Sequence, residues 1–334
     1  NPRWMSRWYA AQSFAGFAPD AIAATERAIA DFRPDVVVAD SINFPAIIAS
    51  ERAALPWACI AITLLPLAPS GWSCTMTAAL DDIRTELLTR LSAAGVREPR
   101  LNFQELISPW LNVVFATDAF APRALGINTW SWMVGPVQWK RARGDEVAFP
   151  WEAVRADRPL IYVSFGGGEA LAFTETTLLA IANSLDAAEA QFVFVLHDLF
   201  DGTLPARLPE HVIAVRYAPQ LALLDRAAVV LTHGGYGTVA ETLLRAKPML
   251  VMPIGHEQPL QAELVQRAGV GLSVPVDTSA SAIGDALRRL LGERSFGERA
   301  TIVAESYRRH DGIAETAEHM EALARDRVPR MPPL

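Results

Sequence analysis

Short runs of apolar and β-branched residues recur along the chain, and stretches with helical spacing of apolar residues separate them. Such runs predict buried strands of a parallel sheet, and the stretches between them predict helices on its faces. The predicted strands are residues 35–39, 57–62, 113–116, 160–165, 192–196, 212–217, 229–232 and 249–253. This alternation predicts an α/β, doubly wound fold.

A charged stretch with two prolines interrupts the pattern near the middle of the chain. Residues 138–159 read QWKRARGDEVAFPWEAVRADRP and show no sustained period, which is typical of a linker. We therefore expect a first domain over residues 1–139, a linker over 140–159 and a second domain over 160–305. Residues 306–334 are expected to form a C-terminal helix and tail that cross back to the first domain.

Composition narrows the classes of function. The 334 residues are 51% hydrophobic, which is enough for two domains with buried cores. The formal net charge of -7 is spread along the chain and indicates no basic surface for nucleic acid. The two cysteines and six histidines show no metal-ligand spacing, and no apolar run approaches the roughly 20 residues of a membrane span. We therefore expect a cytoplasmic, metal-independent protein that does not bind nucleic acid.

One glycine-rich turn carries the strongest chemical signal. Residues 228–263 read AVVLTHGGYGTVAETLLRAKPMLVMPIGHEQPLQAE, in which a predicted strand (229–232) meets a predicted helix (238–246). Glycines let the backbone of the turn at 233–237 approach a ligand, and its amides and the helix dipole favour an anion. The sequence therefore predicts a phosphate site, with the hydroxyl of Thr238 at the helix start. The alternative interpretation is a tight turn that binds nothing.

Polar and aromatic side chains near this turn extend the prediction from phosphate to a nucleotide sugar. Glu241 lies one helical turn onward, where its carboxylate can accept hydrogen bonds from a ribose diol, although it could equally be a solvated helix residue. Upstream, Tyr217 and Gln220 lie at the end of another predicted strand, where a base can stack on the ring. Downstream, Glu257 and Gln258 offer a carboxylate and a carboxamide to adjacent sugar hydroxyls.

The order and spacing of these residues resemble the donor-binding motif of family 1 glycosyltransferases, which transfer a sugar from a UDP- or dTDP-sugar. The family pattern runs Trp-x-Pro-Gln, His-x-Gly-Trp-Asn-Ser, Glu-x4-Gly-x-Pro and Asp-Gln. The chain differs from it by Tyr217 and Tyr236 for Trp, Gly237 for Asn, Thr238 for Ser, Ala246 for Gly and Glu257 for Asp. The resemblance implies the GT-B fold, in which two Rossmann-like, doubly wound domains face a cleft, here with an incomplete N-terminal domain.

The resemblance also implies roles for individual residues. The base lies near Tyr217 and Gln220, the ribose contacts Glu241, and the sugar contacts Glu257 and Gln258. The implied diphosphate site consists of His233, Gly235, Gly237 and Thr238, together with a second phosphate-facing loop at Gly166 and Gly167. The nucleotide sugar is then a co-substrate, and no separate cofactor is implied.

Catalysis by an inverting transferase needs a base for the acceptor hydroxyl, which in this family is a histidine oriented by an aspartate. Asp40, after the first predicted strand, matches the aspartate, and its alternative role is a cap at a strand end. All six histidines lie at or after position 197, so the family's catalytic histidine is missing. We therefore expect that an N-terminal portion of the protein is absent from this sequence. His256 is assigned a structural or sugar-side role.

Partners follow from the same interpretation. The expected acceptor is a hydroxyl of a hydrophobic small molecule. An aromatic cluster near the start would serve either a core helix or an acceptor pocket; it consists of Trp4, Trp8, Tyr9, Phe14 and Phe17. An incomplete sheet would need a missing segment or another copy of the chain to cover it. The segment 279–291 has one apolar face, which fits a surface helix better than a peripheral membrane contact.

Two other functions stay open. The chain could be a non-catalytic nucleotide-sugar-binding or auxiliary protein of the same fold, an interpretation that the missing histidine favours. It could also be another enzyme of this fold, such as a nucleotide-sugar epimerase or a peptidoglycan-type N-acetylglucosaminyl transferase. The Tyr-x-Pro-Gln and Glu-Gln elements argue against this second alternative.

Overall fold

The computed structural model describes residues 18–41, 43–68, 72–93, 95, 108–122, 130–138, 147–166 and 173–332. Gly167, the aromatic residues near the start and residues 139–146 of the charged stretch lie outside these ranges. The chain divides into two compact units. One contains the described residues up to Val137, the segment Gly255–Glu257 and the residues from His310 onward. The other contains Gln138–Ile254 and Gln258–Arg309.

The first unit is built on a four-stranded parallel sheet, in which each strand pairs with the next along the chain. The strands are β1 (Val37–Asp40), β2 (Trp57–Ala61), β3 (Leu111–Val114) and β4 (Trp132–Met133). The helices in this part are α1 (Ala18–Phe32), α2 (Phe44–Arg52) and α3 (Thr75–Ala93). Helix α2 begins where it does because the Asn43 side chain accepts a hydrogen bond from the Ala46 amide and caps the helix.

The second unit is a six-stranded parallel sheet in the order β10-β9-β8-β5-β6-β7. Its strands are β5 (Leu160–Ser164), β6 (Gln191–Val195), β7 (Val212–Val215), β8 (Val229–Thr232), β9 (Met249–Val251) and β10 (Gly271–Ser273). Its helices are α4 (Glu175–Ala182), α5 (Gln220–Arg226), α6 (Tyr236–Leu244), α7 (Gln258–Arg267), α8 (Ala280–Gly292) and α9 (Arg294–Arg308). The strand order is that of a doubly wound dinucleotide-binding fold, and it reverses between β5 and β8.

The last helix, α10 (Gly312–Asp326), belongs to the first unit. Its N-terminus is capped by the Asp311 carboxylate, which accepts from the Ala314 amide. Leu323 on this helix is fully buried in a cluster with Leu111 and Val113 of β3. The chain therefore returns to the first sheet after completing the second.

The apolar face of α8 is used inside the protein. Ile283, Leu287 and Leu290 on this face are at most 3% exposed and pack in the core of the second unit. Because the face is already covered, it is not available for the membrane contact considered from the sequence. Among the helices that the structure describes, none is both long enough and apolar enough to cross a membrane.

The observed strands lie within two residues of the predicted ones, with two additions. The sequence did not predict β4 or β10, which have two and three residues and no long β-branched run. Helix α6 begins at Tyr236 rather than at residue 238. The Tyr236 side chain is buried, and its packing extends the helix into the glycine-rich turn. Strand β1 lies at the edge of its sheet, and Val38 on it is 47% exposed.

Candidate functional site

The glycine-rich turn lies where the strand order of the second sheet reverses. Strands β5 and β8 are neighbours, and Ser164 at the end of β5 is in register with Thr232 at the end of β8. Gly166 and His233, which follow these strands, therefore come side by side at the carboxyl edge of the sheet. Ligands of open α/β sheets bind at such a reversal.

Two glycines fit closely around the His233 ring. A Cβ added at Gly235 would lie 2.5 Å from Nε2 and 2.8 Å from Cε1 of His233, and one added at Gly166 would lie 3.2 Å from Cε1. His233 is 7% exposed, and its Nδ1 lies 3.5 Å from the Thr232 hydroxyl. Because any side chain at residue 235 would displace it, the ring position depends on glycine there. The structure thus brings Gly166, His233 and Gly235 together.

Helix α6 starts beside this ring. Gly235 is its N-cap, so Gly237 and Thr238 lie in the first turn, where amide groups have no acceptor within the helix. A Cβ at Gly237 would meet no atom within 4 Å, so the backbone there borders open space. Tyr236 is anchored by burial, and its hydroxyl lies 3.4 Å from that of Tyr307. Burial raises the pKa of Tyr236, which keeps the phenol neutral.

A chain of hydrogen bonds fixes the carboxylate of Glu241 on the same helix. The Tyr162 hydroxyl donates to Gln220 Oε1 at 3.0 Å, and Gln220 Nε2 donates to Glu241 Oε2 at 2.7 Å. Tyr162 lies on β5, Gln220 starts α5, and Glu241 lies in α6. The structure therefore brings Gln220 and Glu241 together. The sequence reasoning missed Tyr162, because its partner lies 58 residues away and no local pattern marks it.

Tyr217 lies just beyond β7 and is 53% exposed. Its ring packs against that of His197, with centroids 5.4 Å apart and planes at 71°. Burial lowers the pKa of His197, and the nearby Asp198 carboxylate opposes that effect. The sequence reasoning did not pair these two rings, because only the sheet order brings β6 next to β7.

Glu257 and Gln258 differ in their surroundings. Gln258, the first residue of α7, is 2% exposed, and its Oε1 accepts a hydrogen bond from the Ile254 amide at 2.8 Å. This bond closes the loop after β9. Glu257 is half-buried in the segment Gly255–Glu257, which groups with the first unit. In that segment, the His256 amide donates to Thr75 Oγ1 at 2.8 Å.

Asp40 lies in the first unit, at the carboxyl end of β1 and in register with Ile60 of β2. The adjacent Cys59 is buried, and that burial raises the pKa of its thiol to about 12, with a smaller contribution from the Asp40 charge. The thiol is therefore protonated near neutral pH. Within the described ranges, no three His, Cys, Asp or Glu side chains are grouped so that they could hold a metal ion.

The chain is similar to known proteins, above all over the second unit. Residues 178–323 match the sequence model of the family described as Erythromycin biosynthesis protein CIII-like, C-terminal domain. The chain is 26% identical over 218 residues to the uncharacterized UDP-glucosyltransferase YdhE of Bacillus subtilis, an alignment that covers 65% of the chain and 54% of YdhE. The chain is thus similar to a domain of that family and to bacterial proteins named as glycosyltransferases. It is also 26% identical over 227 residues to the NDP-glycosyltransferase YjiC of Bacillus licheniformis, which covers 67% of the chain and 56% of YjiC.

Solved structures show that the fold is GT-B. The glycosyltransferase of kitacinnamycin superposes with a TM-score of 0.73 at 22% identity, over 94% of this chain and 81% of that one. The calicheamicin glycosyltransferase CalG4 gives a TM-score of 0.71 at 24% identity, over 91% and 79%. VinC, solved in complex with dTDP, gives 0.67 at 20% identity, over 97% and 79%. The chain spans about half the length of the first curated relatives that it matches.

Proposed function

We propose that the second unit binds the nucleoside diphosphate part of a nucleotide sugar, and that the protein transfers the sugar to a hydroxyl of a hydrophobic small molecule. The observation that carries the proposal is the His233 ring, which Gly166 and Gly235 border at the start of α6. The names of the relatives, UDP-glucosyltransferase and NDP-glycosyltransferase, support the same chemistry.

The diphosphate is assigned to His233, the loop at Gly166, and the first turn of α6. Amides of Gly237 and Thr238 lack helical acceptors, and the helix N-terminus stabilises a nearby anion by about 0.3–1 kcal/mol. His233 Nε2 lies next to Gly235, which has no side chain to crowd this nitrogen. These donors would stabilise the negative charge that develops on the leaving nucleoside diphosphate.

The nucleoside and sugar are assigned to the surrounding side chains. Tyr217 offers an exposed ring to the base, and Glu241 accepts hydrogen bonds from the ribose hydroxyls. Gln220 positions that carboxylate through the 2.7 Å bond to Oε2. Glu257 and Gln258 are assigned to hydroxyls of the sugar, and Gln258 Oε1 also fixes the loop after β9.

The proposed reaction is an inverting displacement. The acceptor oxygen forms a bond to the anomeric carbon, the bond from that carbon to the nucleoside diphosphate breaks, and a base takes the acceptor proton. Asp40 is assigned to orient a histidine base, which is not present among residues 1–196. In the longest natural form of the protein, Asp40→Asn should lower transfer by about 100-fold or more while nucleotide affinity stays unchanged. A loss of nucleotide affinity as large as the loss of transfer would contradict this role.

The test is a calorimetric titration with UDP and dTDP, followed by an assay for nucleotide release from the corresponding sugars. A panel of hydrophobic alcohols supplies candidate acceptors, and Gly297→Ala, whose Cβ would meet no atom within 4 Å, is the matched control. Release that depends on an acceptor supports the transferase. Binding with no turnover in the longest natural form of the protein supports the auxiliary protein instead, and absence of nucleotide binding contradicts the donor site.

A further inference from the structure

His197 and Tyr217 form a corner at the carboxyl edge of the second sheet. Their strands are neighbours, with Val195 of β6 in register with Val215 of β7, so the residues two positions onward lie side by side. The rings are 5.4 Å apart and 71° from parallel. A planar ligand that stacks on the exposed Tyr217 ring on the side of His197 presents its edge to the His197 ring.

The backbone at His197 has an uncommon conformation that the strand pairing holds in place. His197 has a φ of +47°, in the left-handed region that non-glycine residues seldom adopt. Its amide donates to the Arg216 carbonyl at 3.0 Å and so continues the pairing of β6 with β7. Uncommon conformations of this kind persist where the surrounding structure enforces them, and they cluster at ligand sites.

We propose that His197 determines base selectivity by hydrogen bonding to the edge of a pyrimidine that stacks on Tyr217. This inference rests on the proposed donor site and adds a residue that the sequence pattern did not contain. A neutral imidazole has one donor and one acceptor nitrogen, and a pyrimidine edge carries carbonyl acceptors and an N–H donor. Burial lowers the pKa of His197 and so favours the neutral imidazole, which keeps one donor and one acceptor nitrogen near neutral pH.

The test removes the ring without adding backbone strain. Glycine adopts a φ of +47° freely, so His197→Gly deletes the imidazole alone, and His197→Asn keeps a donor and an acceptor in a residue that tolerates the left-handed region. Calorimetry measures the affinities of UDP, dTDP, ADP and pyrophosphate for the full chain and each variant. Thermal unfolding confirms that the variants are folded.

We expect His197→Gly to weaken UDP or dTDP binding about 3- to 10-fold, the usual effect of one lost hydrogen bond, and to reduce the preference over ADP. His197→Asn should recover part of that preference, and pyrophosphate should bind all variants equally. Tyr217→Ala should weaken every nucleotide, by about 5- to 100-fold. The inference is overturned if His197→Gly keeps the preference for UDP or dTDP over ADP. It is also overturned if this variant loses as much affinity for pyrophosphate as for the pyrimidine nucleotides. Failure of the unaltered chain to bind any nucleotide instead contradicts the donor site itself.

Discussion

Replacement of Gly235 by alanine should move the His233 ring away from the proposed diphosphate position while the fold persists. The added Cβ would lie 2.5 Å from Nε2, against about 3.4 Å for ordinary contact, so the ring must retreat by about 0.9 Å. Gly166 leaves little space on another side, because a Cβ there would lie 3.2 Å from the same ring. The φ of -58° and ψ of 130° at Gly235 suit alanine, so the cost comes from crowding rather than from the backbone.

The magnitude follows from the bond that the ring would lose. A hydrogen bond to a charged group contributes about 1.5–3 kcal/mol, so the Kd for UDP or dTDP should rise roughly 10- to 150-fold. Overpacking should cost about 1–3 kcal/mol of the free energy of unfolding, which leaves a folded chain for the titration. Calorimetry measures the affinity, and Gly297→Ala is the control for the substitution itself. A folded Gly235→Ala chain that binds nucleotide as tightly as the unaltered one would refute the assignment of His233.

Three further predictions concern the ribose and the stability of the fold. Glu241→Ala should weaken UDP more than dTDP, because a carboxylate that holds a ribose diol loses most with the nucleotide that has both hydroxyls. Gly284→Ala should destabilise the protein by about 1–3 kcal/mol, since its Cβ would collide with the Ser184 carbonyl, whereas Gly297→Ala should stabilise α9 by about 0.5–1 kcal/mol. His319→Gln should reduce the fall in the free energy of unfolding between pH 7 and pH 5. Burial lowers the folded-state pKa of His319, so protonation of this residue destabilises the folded protein.

Each of these predictions has its own contradictory result. Equal losses of UDP and dTDP would remove Glu241 from the ribose, and equal unfolding midpoints in urea for the two glycine variants would show that the contact at Ser184 relaxes freely. For His319, burial is the larger cause of the lowered pKa and the Arg330 charge the next. The contribution of neutral His319 to the free energy of unfolding is therefore complete above the unfolded-state pKa of about 6.5. It is lost as the pH falls from there toward the lower folded-state pKa. His197 contributes in the same direction, so the comparison is between variant and unaltered chain rather than with a flat profile.

The parts of the fold with strong local patterns could be predicted from the sequence. Strand β8 was predicted with its observed ends, because a buried β-branched run between turn residues has few other structures. Strands β4 and β10 were not, since two or three residues held by pairing alone leave no periodic signal. The start of α6 was predicted two residues late because burial of Tyr236, a tertiary effect, extends the helix into the glycine-rich turn.

The composition of the candidate site was predictable where residues adjoin along the chain, but their contacts were not. The spacing of residues along the chain predicted His233 and Glu241 as site residues with separate roles. It did not show that Gly166 borders the His233 ring, because that contact depends on β5 lying next to β8. It also did not show that Tyr162 fixes Gln220, or that His197 meets Tyr217. Strand order creates these contacts, and the residues involved are 20 or more positions apart.

The most direct test of the donor site is a crystal structure of the protein with UDP or dTDP bound. We predict that the diphosphate lies within hydrogen-bond distance of His233 Nε2 and of the Gly237 and Thr238 amides, with the base stacked on Tyr217. Two results would contradict the account. One is a nucleotide bound away from the first turn of α6, and the other is a crystal soaked with saturating nucleotide that shows none at that turn.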